Sequence, residues 1–216
     1  MVRGPKTALS PDSLDYLANL AGQDDVLARV ERETSEMPRS MMQVSPDQGA
    51  FLQVLVAAVD ARNALEVGTF TGYSAICIAR GLGEQGRLTC LELEDEYADI
   101  AQRNLEAAGV QDRVTIVRGP AGESLGSMPE EATFDFVFLD ADKTGYPDYY
   151  EQILPRMKPN ALLLIDNILM GGDVVDPEPG SSNAVVANLN ARIAQDDRVE
   201  AAFAMIADGI AFVRKR

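Results

Sequence analysis

Acidic and amide side chains follow two apolar segments of the sequence, at positions where they could bind a divalent cation. Asp140 comes directly after residues 134–139, and Asp166 and Asn167 follow residues 161–165. If these segments are neighbouring parallel strands, their carboxyl ends meet at one edge of a sheet and bring the three side chains together. Such oxygen ligands suit Mg²⁺. The spacing predicts a cation site; the alternative is that these residues only cap a helix and form a turn.

A turn bracketed by glycines indicates a second binding feature. Gly68 and Gly72 flank the passage from an apolar segment to a helical one, and Glu66 precedes the first glycine. The Gly-x-x-x-Gly spacing departs from the Gly-x-Gly-x-x-Gly of pyrophosphate sites, and Glu66 would repel phosphate but could pair with a cationic ligand. Glu92 follows 20 residues after Gly72, as do acidic residues that bind ribose hydroxyls. A generic turn and a solvated acidic loop are the alternatives.

The composition restricts the chemistry available to these residues. The chain contains 19 Lys and Arg, 34 Asp and Glu and no histidine, so its formal net charge is −15. A Ser-His-Asp triad and a His-ligated zinc site are therefore impossible, and acid–base work falls to Asp, Glu, Lys, Tyr or Cys. Lys143 is the best candidate base, because the charge of a nearby cation would lower its pKa. The alternative is a surface lysine paired with Asp142.

The same composition indicates which partners the protein does not bind and where in the cell it is expected. An acidic surface repels phosphate backbones, which argues against nucleic acid as a partner. No apolar run reaches the ~18 residues that cross a bilayer, and the first ten residues lack a hydrophobic signal core. Cys77 and Cys90 lie in apolar segments without metal-binding spacing. We therefore expect a cytoplasmic protein that binds no membrane.

Hydrophobic periodicity places these candidate residues on a regular framework. Residues 10–36 and 46–61 have helical periodicity, separated by a break at 37–46 that contains two prolines. Five strand–helix alternations follow and end in a hairpin. The predicted strands are 64–67, 87–93, 114–117, 134–139, 161–165, 199–205 and 210–214, and the predicted helices between them are 73–82, 95–108, 146–157 and 183–195. The pattern predicts an α/β fold with a doubly wound, mostly parallel sheet and an antiparallel C-terminal hairpin.

In combination, these motifs resemble class I S-adenosylmethionine-dependent O-methyltransferases of the cation-dependent catechol and caffeoyl-CoA type. The resemblance rests on residues 66–69, 71–74, 139–143 and 165–167, and it extends from about Pro38 to Arg216. It implies a single domain over residues 1–216 with a seven-stranded Rossmann-like methyltransferase sheet. Residues 1–45 would form N-terminal helices that cover the site, and 46–216 the catalytic core. The family is usually homodimeric, and Leu14, Leu17 and Leu20 would suit a docking helix.

The resemblance also implies a role for each matching residue. The positions implied for S-adenosylmethionine are Met42, Val44, Glu66, Gly68, Thr69, Ser74, Glu92, Ala121, Asp140 and Asp142. Glu66, Gly68, Thr69 and Ser74 would hold its methionine part, Glu92 its ribose, and Ala121 would lie beside its adenine. Asp140, Asp166 and Asn167 would bind Mg²⁺ or another divalent cation, and Lys143 and Asp140 would be catalytic. The implied reaction methylates a hydroxyl of a catechol-type aromatic small molecule.

One departure and three rival functions accompany this hypothesis. Where the family often has Trp, lining the acceptor pocket, this chain has Met170, and no CoA-ester specificity is inferred. Methylation of hydroxyuridine in tRNA is the main alternative, and the net charge argues against it. The glycine spacing and Glu66 disfavour an NAD-dependent dehydrogenase. A catalytically silent binding protein is disfavoured because all three implied metal ligands are present.

Overall fold

The computed structural model describes residues 10–216, except for the side chains of Pro11 and Leu14. Residues 1–9, where we predict no signal segment, lie outside this range. The helices are α1 (Pro11–Leu20), α2 (Asp25–Ser35), α3 (Pro46–Ala58), α4 (Tyr73–Gly81), α5 (Asp95–Ala107), α6 (Ala121–Ser127), α7 (Tyr146–Ile153) and α8 (Ser182–Ile193). The strands are β1 (Asn63–Val67), β2 (Arg87–Glu92), β3 (Val114–Arg118), β4 (Phe134–Leu139), β5 (Met157–Ile165), β6 (Val199–Ala204) and β7 (Ile210–Lys215).

The strands form one seven-stranded sheet in the order β3-β2-β1-β4-β5-β7-β6. β1 to β5 pair in parallel, whereas β7 runs antiparallel to both β5 and β6. The prediction of a mostly parallel sheet with an antiparallel C-terminal hairpin is therefore confirmed. Within the hairpin, β7 lies inside the sheet and β6 forms its edge. The order reverses between β1 and β4, and ligands of doubly wound sheets bind at such a point.

The sheet is buried on both faces because alternate residues of its central strands pack into different apolar clusters. Phe136 and Phe138 of β4 pack with α3 and α4, whereas Val137 and Leu139 pack with α6, α7 and α8. Burial of each such side chain stabilises the fold by roughly 1.5–3 kcal/mol. The near-continuous apolar sequence of β4 follows from this double burial.

The structure departs clearly from the predicted elements in four places. The helix predicted over 146–157 ends at Ile153, because Leu154–Arg156 form a 3-10 turn that leads into β5. The helix predicted over 10–36 is two helices, because the chain turns at Gly22, which has φ +65°. Helix α6 was not predicted. Strand β5 begins at Met157, four residues before the predicted start, with a register shift where it pairs with the beginning of β4.

We predict a docking helix near the N-terminus and no membrane-spanning segment. Leu17 and Leu20 of α1 are exposed, as the predicted docking helix requires, whereas the side chain of Leu14 lies outside the described residues. The homodimer and the division at residue 45 stay predictions. Among the described helices, none combines the length and apolar composition needed to cross a bilayer.

Candidate functional site

Three central strands end in one row, which places the residues that follow them side by side. Val67 of β1 pairs with Leu139 of β4, and Leu139 pairs with Ile165 of β5. The next residues along these strands are Gly68, Asp140 and Asp166. Gly68 has φ +92°, and a Cβ there would overlap the carbonyl oxygen of Asp140, so glycine permits the close approach.

Glu66 is a fully buried carboxylate near the end of β1. Among the described residues, neither of its oxygens accepts a hydrogen bond of good geometry, although the Ser74, Cys90 and Thr69 side chains lie close enough to lower its pKa in part. Burial raises its pKa to about 8 from an ordinary value of 4.5, because a charged carboxylate loses solvation in this position. A buried carboxylate without a cationic partner is a favourable site for a cationic group. Glu66 therefore fits the ammonium group of a methionine-like ligand.

Glu92, at the end of β2, braces the loop between β1 and α4. Its Oε2 accepts hydrogen bonds from the backbone N–H groups of Thr69 (3.1 Å) and Phe70 (2.7 Å), and its Oε1 accepts one from the N–H of Glu94 (3.0 Å). The Thr69 and Ser74 side chains are buried beside this loop. Each carboxylate oxygen has two lone pairs and three of the four are used, so Oε1 of Glu92 can still accept a hydrogen bond from one ribose hydroxyl.

Asp140 and Asp166 form an acidic pair at the ends of β4 and β5. Asp166 is buried; its Oδ1 accepts from the backbone N–H of Asn167 (2.8 Å) and its Oδ2 accepts from Nε2 of Gln48 (2.8 Å). Burial first, and the charge of Asp140 second, raise the pKa of Asp166 above its ordinary value. The two carboxylates thus repel each other, and a divalent cation between them would relieve that repulsion.

The implied donor set, two carboxylates and an amide, fits a hard cation such as Mg²⁺. Within residues 10–216, no three His, Cys, Asp or Glu side chains converge as a metal site. The implied ligands are two carboxylates and the amide of Asn167, so they do not form a cluster of three His, Cys, Asp or Glu side chains. Asn167 has φ +55° and Met170 has φ +49°, and backbone strain of this kind concentrates at functional sites.

Lys143 is held at the same edge of the sheet. Its Nζ lies 2.8 Å from Oδ1 of Asp140 and donates a hydrogen bond to the hydroxyl of Tyr146 (2.6 Å). The Tyr146 hydroxyl lies 3.2 Å from the carbonyl oxygen of Asp166, and the ring is fully buried. Lys143 therefore pairs with Asp140 and not with Asp142, and it faces the acidic pair.

The remaining predicted cofactor residues lie around these strand ends. Asp142 is exposed and accepts hydrogen bonds from the N–H of Gly145 (2.9 Å) and the hydroxyl of Tyr149 (2.6 Å), so it caps the turn before α7. Ala121 begins α6 and is half-buried. Met42 is half-exposed and Val44 is buried in the segment before α3. Their contacts with a cofactor stay predictions.

Two residues at this edge of the sheet were not predicted from the sequence. Gln48 and Tyr146 are both buried and bond to the strand-end residues. Tyr146 lies three residues after Lys143, where a helical turn brings side chains together, and this spacing was an available signal. Gln48 and Asp166 are 118 residues apart, and nothing in the local sequence around either residue indicates their contact.

Comparisons with known proteins agree with this geometry. The model of the O-methyltransferase family matches residues 18–216. The catechol O-methyltransferase of Niastella koreensis is 37% identical over 197 residues, covering 88% of each chain. A probable caffeoyl-CoA O-methyltransferase of Dictyostelium discoideum is 33% identical over 208 residues, covering 94% of this chain and 89% of the relative.

A solved structure of an O-methyltransferase also resembles this chain. The O-methyltransferase from Bacillus cereus, in complex with S-adenosylhomocysteine (SAH), superposes with a TM-score of 0.86 at 35% identity, covering 94% of this chain and 96% of that one. The chain belongs to the O-methyltransferase family, which confirms the prediction of a class I S-adenosylmethionine-dependent O-methyltransferase.

Proposed function

We propose that the protein transfers the methyl group of S-adenosylmethionine to one hydroxyl of a catechol-type aromatic small molecule, with a divalent cation at Asp140, Asp166 and Asn167. The observation that carries the proposal is the acidic pair at the ends of β4 and β5, with Lys143 beside it. Relatives named catechol O-methyltransferase, and the Bacillus cereus structure with SAH, support the acceptor class and the donor.

The donor side of the site is formed by the end of β1 and the loop that follows it. When bound, S-adenosylmethionine supplies a methyl group activated by its sulfonium. Glu66 accepts the ammonium group of the methionine part, because its carboxylate is fully buried and has no cationic partner among the described residues. Glu92 holds the loop at Thr69 and Phe70, and through the one free lone pair of its Oε1 it binds a ribose hydroxyl. These residues fix the donor relative to the strand ends.

The acceptor side is formed by the ends of β4 and β5. Asp140, Asp166 and Asn167 hold the cation, which when bound supplies positive charge that acidifies and orients the vicinal hydroxyls. An ordinary phenol has a pKa of about 10, so only about one in a thousand is ionised at pH 7. Nζ of Lys143 lies beside Asp140 and the Tyr146 hydroxyl. After its ammonium proton has passed to solvent, the neutral amine takes the proton that the attacked hydroxyl loses.

A panel of acceptors tests this function. The panel contains catechols, phenols with one isolated hydroxyl, and bulk tRNA, each supplied with labelled S-adenosylmethionine and either Mg²⁺ or a chelator. We expect label transfer to catechols with Mg²⁺ and loss of transfer with the chelator. Transfer to isolated phenols that survives chelation would remove the cation from the mechanism, and transfer to tRNA alone would replace the acceptor class.

Replacing Lys143 tests its role as the base. We expect Lys143→Met to lower the rate of methyl transfer roughly 100-fold or more, because general base catalysis contributes about 10²–10⁴. The affinity for SAH, measured by titration calorimetry, should stay unchanged because Lys143 lies on the acceptor side. Lys158→Met is the control, since Lys158 pairs with Asp135 away from the strand ends. An unchanged rate in Lys143→Met would leave Lys143 a structural role only.

A further inference from the structure

Gln48 lies in the first turn of α3 and is almost completely buried, with 2% of its surface exposed. Its Nε2 donates a hydrogen bond of 2.8 Å to Oδ2 of Asp166. Burying an amide is costly unless it is hydrogen-bonded, so this contact holds both side chains. The bond joins a helix from the N-terminal part of the chain to the end of the fifth strand.

Gly49, the residue after Gln48, allows α3 to pack closely against α4, and this packing orients Gln48 toward Asp166. A Cβ at Gly49 would lie 2.7 Å from Cε1 of Tyr73 and 3.0 Å from Sγ of Cys77, so α3 packs closely against α4 here. Tyr73 begins α4, directly after the loop that Glu92 braces. The first turn of α3 thus packs between Asp166 and the start of α4, which follows the loop after β1. Gln48 therefore has little freedom to move.

The hydrogen bonds of Asp166 determine which lone pairs remain free. Gln48 occupies Oδ2 and the N–H of Asn167 occupies Oδ1, so each oxygen keeps one free lone pair. With both oxygens held, the plane of the carboxylate cannot rotate about χ2. Outer partners of this kind orient metal ligands, and their loss typically weakens metal binding about 10–100-fold.

We propose that Gln48 is a positioning residue, which holds the Asp166 carboxylate in the orientation that binds the divalent cation. The proposal rests on the proposed function, because it presupposes a cation at Asp166. Among the described residues, the Gln48 side chain makes its hydrogen bond to Asp166, and it acts on the cation through that carboxylate.

Replacing Gln48 by methionine tests this proposal, because methionine keeps the length of the side chain but has no N–H donor. The readouts are the affinity for Mn²⁺ alone, from the electron paramagnetic resonance signal of the free ion, the affinity for SAH without metal, and the urea denaturation midpoint. We expect the dissociation constant for Mn²⁺ to rise about 10-fold or more. The affinity for SAH should change less than twofold, since Gly49 still packs against Tyr73.

Controls separate a positioning role from a structural one. Gln53→Met makes the same substitution in α3; among the described residues, Gln53 donates no side-chain hydrogen bond to a strand end, and we expect wild-type Mn²⁺ binding. If Gln48→Met fails to fold, Gln48→Asn keeps the amide but shortens its reach by one methylene, and the same loss is expected.

The possible results distinguish this inference from the function on which it rests. Wild-type Mn²⁺ affinity in Gln48→Met would overturn the role of Gln48 and leave the proposed function standing. Equal losses of Mn²⁺ and SAH affinity would show a structural role and also overturn the proposal. Absence of Mn²⁺ binding by the wild-type protein would overturn both.

Discussion

Glu66→Gln is expected to weaken the binding of S-adenosylmethionine roughly 100-fold or more. The ammonium group of the ligand would lose its buried anionic partner, and removing one member of a buried charge pair costs about 3–5 kcal/mol. Titration calorimetry measures the affinity. Glu94→Gln, a substitution of an exposed glutamate next to the same site, is the control and should bind with wild-type affinity. Equal affinity of Glu66→Gln and the wild type would place the ammonium group elsewhere.

The same variant is expected to change how the binding of S-adenosylmethionine depends on protons. The pKa of Glu66 in the unliganded protein is about 8, so the carboxyl is protonated at pH 6.5. Pairing with the ammonium group requires the carboxylate, and binding at that pH therefore releases about one proton. Calorimetry in buffers of different ionisation enthalpy counts this proton. Glu66→Gln should release none.

Stability without ligand should follow the same titration. Glu66 ionises near its ordinary value of 4.5 in the unfolded chain but near 8 in the folded one, so the folded chain holds the extra proton between these pH values. Stability therefore falls as pH rises from about 4.5 to 8, by up to about 1.4 kcal/mol per pH unit from this group. Urea denaturation should show a shallower decline in Glu66→Gln than in the wild type; the part of the decline that comes from Asp166, whose pKa is also raised by burial, should remain. A parallel decline in both proteins would contradict the assignment.

Asp140→Asn is expected to abolish cation binding and to lower the rate of methyl transfer more than 100-fold. A neutral amide oxygen is a weaker ligand than a carboxylate for Mg²⁺, and Lys143 would lose its ion pair at 2.8 Å. Titration with Mn²⁺ measures the cation site, and labelled S-adenosylmethionine measures the rate.

The fold should survive this substitution. The lost attraction to Lys143 is offset in part, because the repulsion between Asp140 and Asp166 also disappears. We therefore expect the free energy of unfolding to change by no more than about 2 kcal/mol. Asp148→Asn, an exposed position in the first turn of α7, should leave the cation site and the rate intact. Retained Mn²⁺ binding in Asp140→Asn would remove Asp140 from the ligand set.

The sequence was most informative where one physical factor dominates. Strand β4 has the predicted bounds, because a segment buried on both faces consists almost entirely of apolar residues. Helix α6 has no such signal, since its sequence AGESLGS contains two glycines and only Ser124 and Leu125 are buried. The early start of β5 was missed because Pro159 and Asn160, which are poor strand formers, lie within it.

The candidate site shows the same contrast. The ends of strands could be located from apolar periodicity, and so Asp140, Asp166 and Asn167 were predicted to lie near one another. The contact of Gln48 with Asp166 depends on how α3 packs against the sheet, which the local pattern does not determine. Nor does the sequence reveal that Glu92 already accepts three backbone hydrogen bonds.

The position of β7 has a consequence for biosynthesis. β6 is translated before β7, yet β7 lies between it and β5. When the ribosome has reached residue 209, the bonding edge of β5 is open and β6 has not yet gained its neighbour. An unpaired strand edge invites pairing with other chains. The nascent chain therefore exposes the unpaired edge of β5 to pairing with other chains until β7 has emerged from the ribosome and inserted beside it.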